Sequence, residues 1–144
     1  MDEKHYRKLE RMYRTAPCNA YCRPLIAISH GAAEVRIPIQ SQFLHPAGAV
    51  HGSFYFKAMD DASFFAVNSL IEDRLALTVN FHLHLLHPIS SGEMHAVGRV
   101  VSASRSLYVA ESQLFNADGT EIGRGSGTFV RSQIKLTPEL GYLL

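Results

Sequence analysis

Cysteine is scarce in this sequence, neither sign of charge is in excess, and no apolar run is long enough to cross a bilayer. Each absence removes a class of function. The two cysteines, Cys18 and Cys22, have no second pair downstream, so neither a zinc site nor a disulfide framework is expected and both read as reduced thiols. Lys and Arg number 14 against 13 Asp and Glu, and the resulting net charge of +1 offers no electrostatic footprint for nucleic acid. A membrane span needs about 20 apolar residues in a row, and none is present. The opening MDEKHYRKLE also lacks the apolar stretch of a signal peptide, so a cytoplasmic protein is expected. At 144 residues the chain is expected to form one domain, 1–144, long enough to bury a real core.

What is present is organised around residues 45–71, HPAGAVHGSFYFKAMDDASFFAVNSLI, a glycine-punctuated loop leading into a helix. A helix that is apolar nearly all round must be buried. Lys57, Asp61 and Asn68 share one of its faces, where Lys57 and Asp61 are expected to pair as an ordinary surface couple. Asp60 falls elsewhere, on the stripe of Phe56, Ser63, Phe64 and Val67. A carboxylate there is partly desolvated and needs a partner or a raised pKa. His51-Gly52-Ser53 falls at the helix start, where unpaired amides and the positive end of the dipole can hold a carboxylate, a phosphate or a developing oxyanion.

The flanks follow from periodicity. Residues 2–15 carry Tyr6, Leu9 and Tyr13 at helical spacing and read as an amphipathic helix packed on the outside. Residues 25–28 and 33–39 read as strands joined by a turn at His30-Gly31, the second alternating Val35, Ile37 and Ile39 with polar residues. Four longer segments, 75–87, 94–103, 107–116 and 121–131, follow with connections so short that they call for antiparallel neighbours. In the first of them Val79, Phe81, Leu83 and Leu85 alternate with Asn80, His82 and His84. The fold class expected is α+β, an antiparallel sheet with one long helix against its apolar face. His82 and His84, with His45, His51 and His87 elsewhere, match no zinc-ligand spacing, so no metal and no cofactor are expected.

The run HPAGAVHGSFYFKAMDDASFFAVNSL, the strand LTVNFHLHLLHP and the pattern over 92–130 resemble the hotdog-fold thioesterases, in particular the acyl-CoA thioesterases of the phenylacetate-degradation type, across residues 25–130. The resemblance implies a sheet wrapped around the central helix, an acyl-CoA substrate, and a homodimer joined edge to edge, with dimers often pairing into tetramers; a pocket lined by Phe, Tyr, Met and Leu of the central helix and facing strands favours an apolar or aromatic acyl group. By position, Gly52 matches the glycine whose amide polarises the thioester carbonyl. Asp60 matches the catalytic carboxylate, and Thr78 a hydroxyl residue that helps place the attacking water. His51 stands in the family's His-Gly-Gly motif, which reads His51-Gly52-Ser53 here, and His45 falls where the family carries Asn or Gln. Ser104-Arg105-Ser106 resembles the family's basic turn, which makes Arg105 and Ser106 the candidates for the CoA phosphates. Fold does not fix function, so a non-catalytic protein that binds an acyl thioester or small apolar ligand, with Asp60 as a buried polar anchor, is the alternative. A dehydratase of the same fold is weaker, because its paired Asp and His are not evident.

Helix geometry adds a constraint of its own. The eight residues from Gly52 to Asp60 span about 12 Å along a helix axis. A reacting carbon must lie about 3 Å from both groups. If both act, a symmetry-related chain supplies one of them, and oligomerisation is part of the site.

Overall fold

The computed structural model describes residues 3–144, so the expected helix start at Asp2 lies outside the described residues. The chain runs α1 (Glu3–Thr15), α2 (Asn19–Cys22), β1 (Leu25–Ser29), β2 (Ala32–Pro38), α3 (Gly52–Asn68), β3 (Arg74–Leu85), β4 (Glu93–Ala103), β5 (Leu107–Phe115) and β6 (Glu121–Lys135), with short 3-10 turns at Ser41–Phe43 and Pro138–Leu140. The strands form one antiparallel sheet in the order β1-β2-β4-β5-β6-β3, and α3 lies across it, the hotdog arrangement that the resemblance implied.

Alternation decides which side of the sheet meets the helix. In β2, Ala33, Val35 and Ile37 are buried while Glu34 and Arg36 face solvent, and β4 and β5 present Met94, Ala96 and Leu114 to the same core. Across it α3 contributes Tyr55, Ala58, Met59, Ala62 and Phe65. The helix approaches β4 so closely at Gly98 that a Cβ there would sit 2.5 Å from the Ala62 carbonyl carbon. That neighbour is backbone and cannot rotate away. Gly98→Ala is therefore expected to cost about 1–3 kcal/mol through overpacking, read as a lowered Tm in a calorimetric scan.

The two edges of the sheet are finished differently. Along β1, the Ile28 N–H donates to Glu10 Oε2 at 2.8 Å and the Ile28 carbonyl accepts from Arg7 Nη2 at 2.9 Å, so side chains of α1 occupy that edge. At the start of β3 the Asn68 side chain takes the Ala76 N–H and C=O in the same way, but from Leu77 to Leu85 no side chain does so among the described residues, and Val79 and Leu85 there are 58% and 55% exposed. An uncovered apolar edge strand invites another strand.

β3 also corrects the simple alternation expected of it. Thr78 pairs with Phe129 and Asn80 with Thr128, which leaves Val79 as the extra residue of a bulge. A bulge resets the side-chain parity of the strand. Before it, Ala76 and Thr78 face α3; after it, Phe81 and Leu83 do. Val79, expected on the apolar inner face, is turned out instead, while Leu85 keeps the inner side and sets its Cδ1 against Gly52 at the start of α3.

Candidate active site

Asp60 sits in the middle of α3, half-buried, and accepts a hydrogen bond from Thr78 Oγ1 at 2.9 Å. The bulge at Val79 makes that contact possible, because strict alternation would place Thr78 with Asn80 on the outer face. Burial pushes the Asp60 carboxyl up from 3.8 to about 6. The Thr78 hydrogen bond pulls it back, the neighbouring Asp61 adds to the rise, and Lys57 opposes it. Asp60 is thus a carboxyl group poised to exchange a proton near neutral pH.

Asp60 and Thr78 line an open, mostly apolar cavity of about 980 Å³. Phe64 and Phe65 of α3, Leu75 and Leu77 of β3, and Met12 and Tyr13 of α1 form its sides. The expected surface couple Lys57–Asp61 lies in this wall rather than on the surface. Its ions are 2.8 Å apart and mostly covered, because α1 packs over them. Tyr13 Oη donates to Asp61 Oδ2 at 2.7 Å, and Lys57 Nζ also donates to Asn19 Oδ1 at 2.6 Å. Burial raises the Asp61 carboxyl against the pull of Lys57, and burial with the adjacent Asp61 charge raises the Tyr13 phenol. Asn68, expected on the same exposed face, is fully buried and pairs with the Ala76 backbone through both its side-chain atoms. The sequence places Tyr13 on the packed stripe of the N-terminal helix but gives neither it nor Asn19 a part in this wall, since nothing local reveals that α1 and α2 fold over this part of α3.

A second cavity, of about 410 Å³, opens at the other end of α3 and is lined by His45, His51, Gly52, Tyr55, Leu85 and their neighbours. Gly52 is the first residue of the helix and His51 is its cap. The Ser53 amide donates to His51 Nδ1 at 3.1 Å and the Phe54 amide to the His51 carbonyl at 3.0 Å. The Gly52 amide has no intrahelical acceptor, and no other acceptor meets it among the described residues. His45 Nδ1 accepts from the Ala47 amide at 3.1 Å, which fixes its ring within the loop.

The candidates therefore fall into two groups within one chain. Asp60 and Thr78 share one cavity, and Gly52, His51 and His45 share the other. Arg105 and Ser106 stand exposed on the turn between β4 and β5 and line neither. Among the described residues no three His, Cys, Asp or Glu side chains gather into a metal-binding group, and no helix is long and apolar enough to cross a membrane.

Residues 47–122 match the family model described as thioesterase superfamily, a span that includes Gly52, Asp60 and Thr78. A candidate esterase of Saccharolobus solfataricus is 22% identical over 103 residues, covering 72% of this chain and 69% of its own. Among solved structures, a thioesterase family protein from Silicibacter pomeroyi superposes with a TM-score of 0.79 at 25% identity, over 88% of this chain and 97% of that one. A conserved protein from Pseudomonas aeruginosa gives 0.78 at 26% identity, over 85% and 98%. The PaaI protein of the E. coli phenylacetic acid degradation operon gives 0.84 at 20% identity, over 93% and 97%, a likeness of fold.

Proposed function

The chain belongs to the thioesterase superfamily, and from that premise we propose that it hydrolyses an acyl-CoA with an apolar or aromatic acyl group to the free acid and CoA. The observation that carries this reading is the Asp60–Thr78 pair: a half-buried carboxyl raised to about 6, hydrogen-bonded at 2.9 Å, on the wall of an apolar cavity. Such cavities suit ligands that are mostly apolar with a few placed polar groups.

The site is completed by a second copy. The Asp60 cavity is lined by the start of β3, at Leu75, Leu77 and Thr78, and the Gly52 cavity by its last residue, Leu85, and the Leu86 that follows. With the β1 edge occupied by α1, the open β3 edge is the one left for pairing. Antiparallel pairing about a two-fold axis near Phe81, midway between Leu77 and Leu85, sets each chain's Asp60 cavity beside its partner's Gly52 cavity.

In that assembly the thioester carbonyl lies against the partner subunit's Gly52 amide. Asp60 takes a proton from water as the oxygen attacks the carbonyl carbon, or attacks directly to give an anhydride that water then opens. In either route the C–S bond breaks and CoA leaves as the thiol. The Thr78 hydroxyl orients the carboxylate and the water. His45, whose Nδ1 is engaged by the loop, offers Nε2 to the carbonyl or a water. Arg105 and Ser106 are the residues for the CoA phosphates, through charge-assisted and neutral hydrogen bonds.

Thiol release measured over a panel of acyl-CoAs tests the reading, and a panel in which nothing is released overturns it. The pH profile sharpens the test. The acting form is the carboxylate, so kcat/KM is expected to fall as pH drops through about 6. Lys57 stabilises that carboxylate, and Lys57→Met is expected to move the acid limb upward.

A further inference from the structure

The last residues of the chain do something that the sheet and core do not require. After β6 the backbone turns through Pro138–Leu140 and crosses α1, and none of these three residues is buried. Yet the segment is held tightly. Gly141 has φ +89, and a Cβ on it would meet Thr15 Oγ1 at 2.7 Å, so this crossing of α1 is built for glycine. Next to it, Tyr142 Oη lies 2.7 Å from His5 Nδ1, and His5 Nε2 lies 2.9 Å from the Asn68 carbonyl at the end of α3. A carbonyl only accepts, so Nε2 carries the proton, and in the neutral ring Nδ1 accepts from the tyrosine. Lys8 Nζ lies 5.2 Å from the centre of the same tyrosine ring. One short turn is thus pinned to α1 directly and to α3 through the buried His5.

What the turn faces is the Asp60 cavity. Pro138, Glu139, Leu140 and Gly141 line it together with Leu75 and Leu77 of β3, and Leu140 keeps 39% of its surface exposed. A segment that buries no side chain fully contributes little to the core. Fixing it by a close glycine contact and a buried imidazole makes sense for a wall whose position must not drift. We propose that this C-terminal turn, and Leu140 in particular, determines acyl-chain length by closing the cavity that begins at Asp60; the proposal rests on the acyl-CoA reading above. The acyl group enters past Asp60 and Thr78, runs between Leu75 and Leu77 on one side and Met12 and Tyr13 on the other, and ends against Leu140.

The test is a ladder of straight acyl-CoAs from butanoyl to hexadecanoyl, assayed with wild type, Leu140→Ala and Leu140→Trp. A misfit of a methylene or two in an apolar pocket changes kcat/KM by about 10-fold or more. Leu140→Trp is expected to lower the ratio of long-chain to short-chain kcat/KM by at least about that factor, and Leu140→Ala to raise it. Tyr142→Phe, which removes the hydrogen bond to His5, is expected to flatten the length dependence. The same ladder made as S-alkyl-CoA thioethers, which cannot be hydrolysed, is measured by calorimetric binding. Absence of turnover by wild type with any acyl-CoA would sink the hydrolase reading alone, because the thioether ladder still reports where the cavity ends. Length profiles that coincide in folded wild type and both Leu140 variants, by turnover and by binding, overturn the role of the turn.

Discussion

Asp60→Asn is expected to lower kcat/KM for acyl-CoA hydrolysis by about 10²–10⁴-fold, the contribution of a well-placed general base, and by more if the carboxylate attacks directly. The replacement is nearly isosteric. Its amide oxygen can still accept from Thr78 Oγ1, and its neighbours Ala62, Ser63 and Met59 stay in the core. Binding of S-alkyl-CoA thioethers is therefore expected to survive. Stability should move the other way from activity. A carboxyl whose folded pKa is raised favours the folded state when protonated; that stability is present below the unfolded value of about 4 and is lost as pH rises through about 6. The asparagine variant stays neutral throughout, so its Tm is expected to exceed that of wild type at pH 8, with the gap closing as pH falls towards 4. Turnover near the wild-type rate would reduce Asp60 to a polar anchor and assign the hydrolysis to other groups. Binding without release in wild type would instead leave a binding protein.

The parts of this molecule that repeat were legible in the sequence. Six strands, the N-terminal helix and the buried helix all follow from period-2 or period-3.6 patterns, and the observed bounds lie close to those expected except that β6 continues to Lys135. The position of Asp60 on the apolar stripe of α3 was legible for the same reason. What escaped was whatever depends on one local irregularity or one long-range contact. The bulge at Val79 sends Thr78 inward and Val79 outward, and no alternation rule announces it. Lys57 and Asp61 have the spacing of a surface pair, but Tyr13, 48 residues away from Asp61 in sequence, covers them with a hydroxyl. Asn68 has the spacing of a solvated residue and instead pairs with the Ala76 backbone where α3 gives way to β3. The turn at Pro138–Leu140 contains too few residues to show any period at all.

Mixing two inactive variants is expected to restore activity, and this result bears most directly on the shared site. In Gly52→Val the new side chain meets Leu85 Cδ1, which lies 2.9 Å from where a Cβ on residue 52 would stand and is the mobile end of a side chain, so the fold should accept it. The branched side chain nevertheless crowds the approach to the Gly52 amide. Losing one oxyanion donor costs about 10²–10³ in rate. Alone, Gly52→Val homodimers lack a usable amide at both sites, and Asp60→Asn homodimers lack a carboxylate at both. A mixed dimer differs. One of its sites combines both lesions, while the other joins the native Asp60 of one chain to the native Gly52 of its partner. Random pairing of equal amounts makes about half of the dimers mixed, with one intact site in each, so recovery should approach about a quarter of wild-type activity. Co-expression with two different affinity tags isolates the mixed dimer, where the expectation is about half. If purified mixed dimers are no more active than their parents, Asp60 and Gly52 do not meet across a subunit boundary. The separation of about 12 Å along α3 would then mean that only one of them touches the reacting carbon.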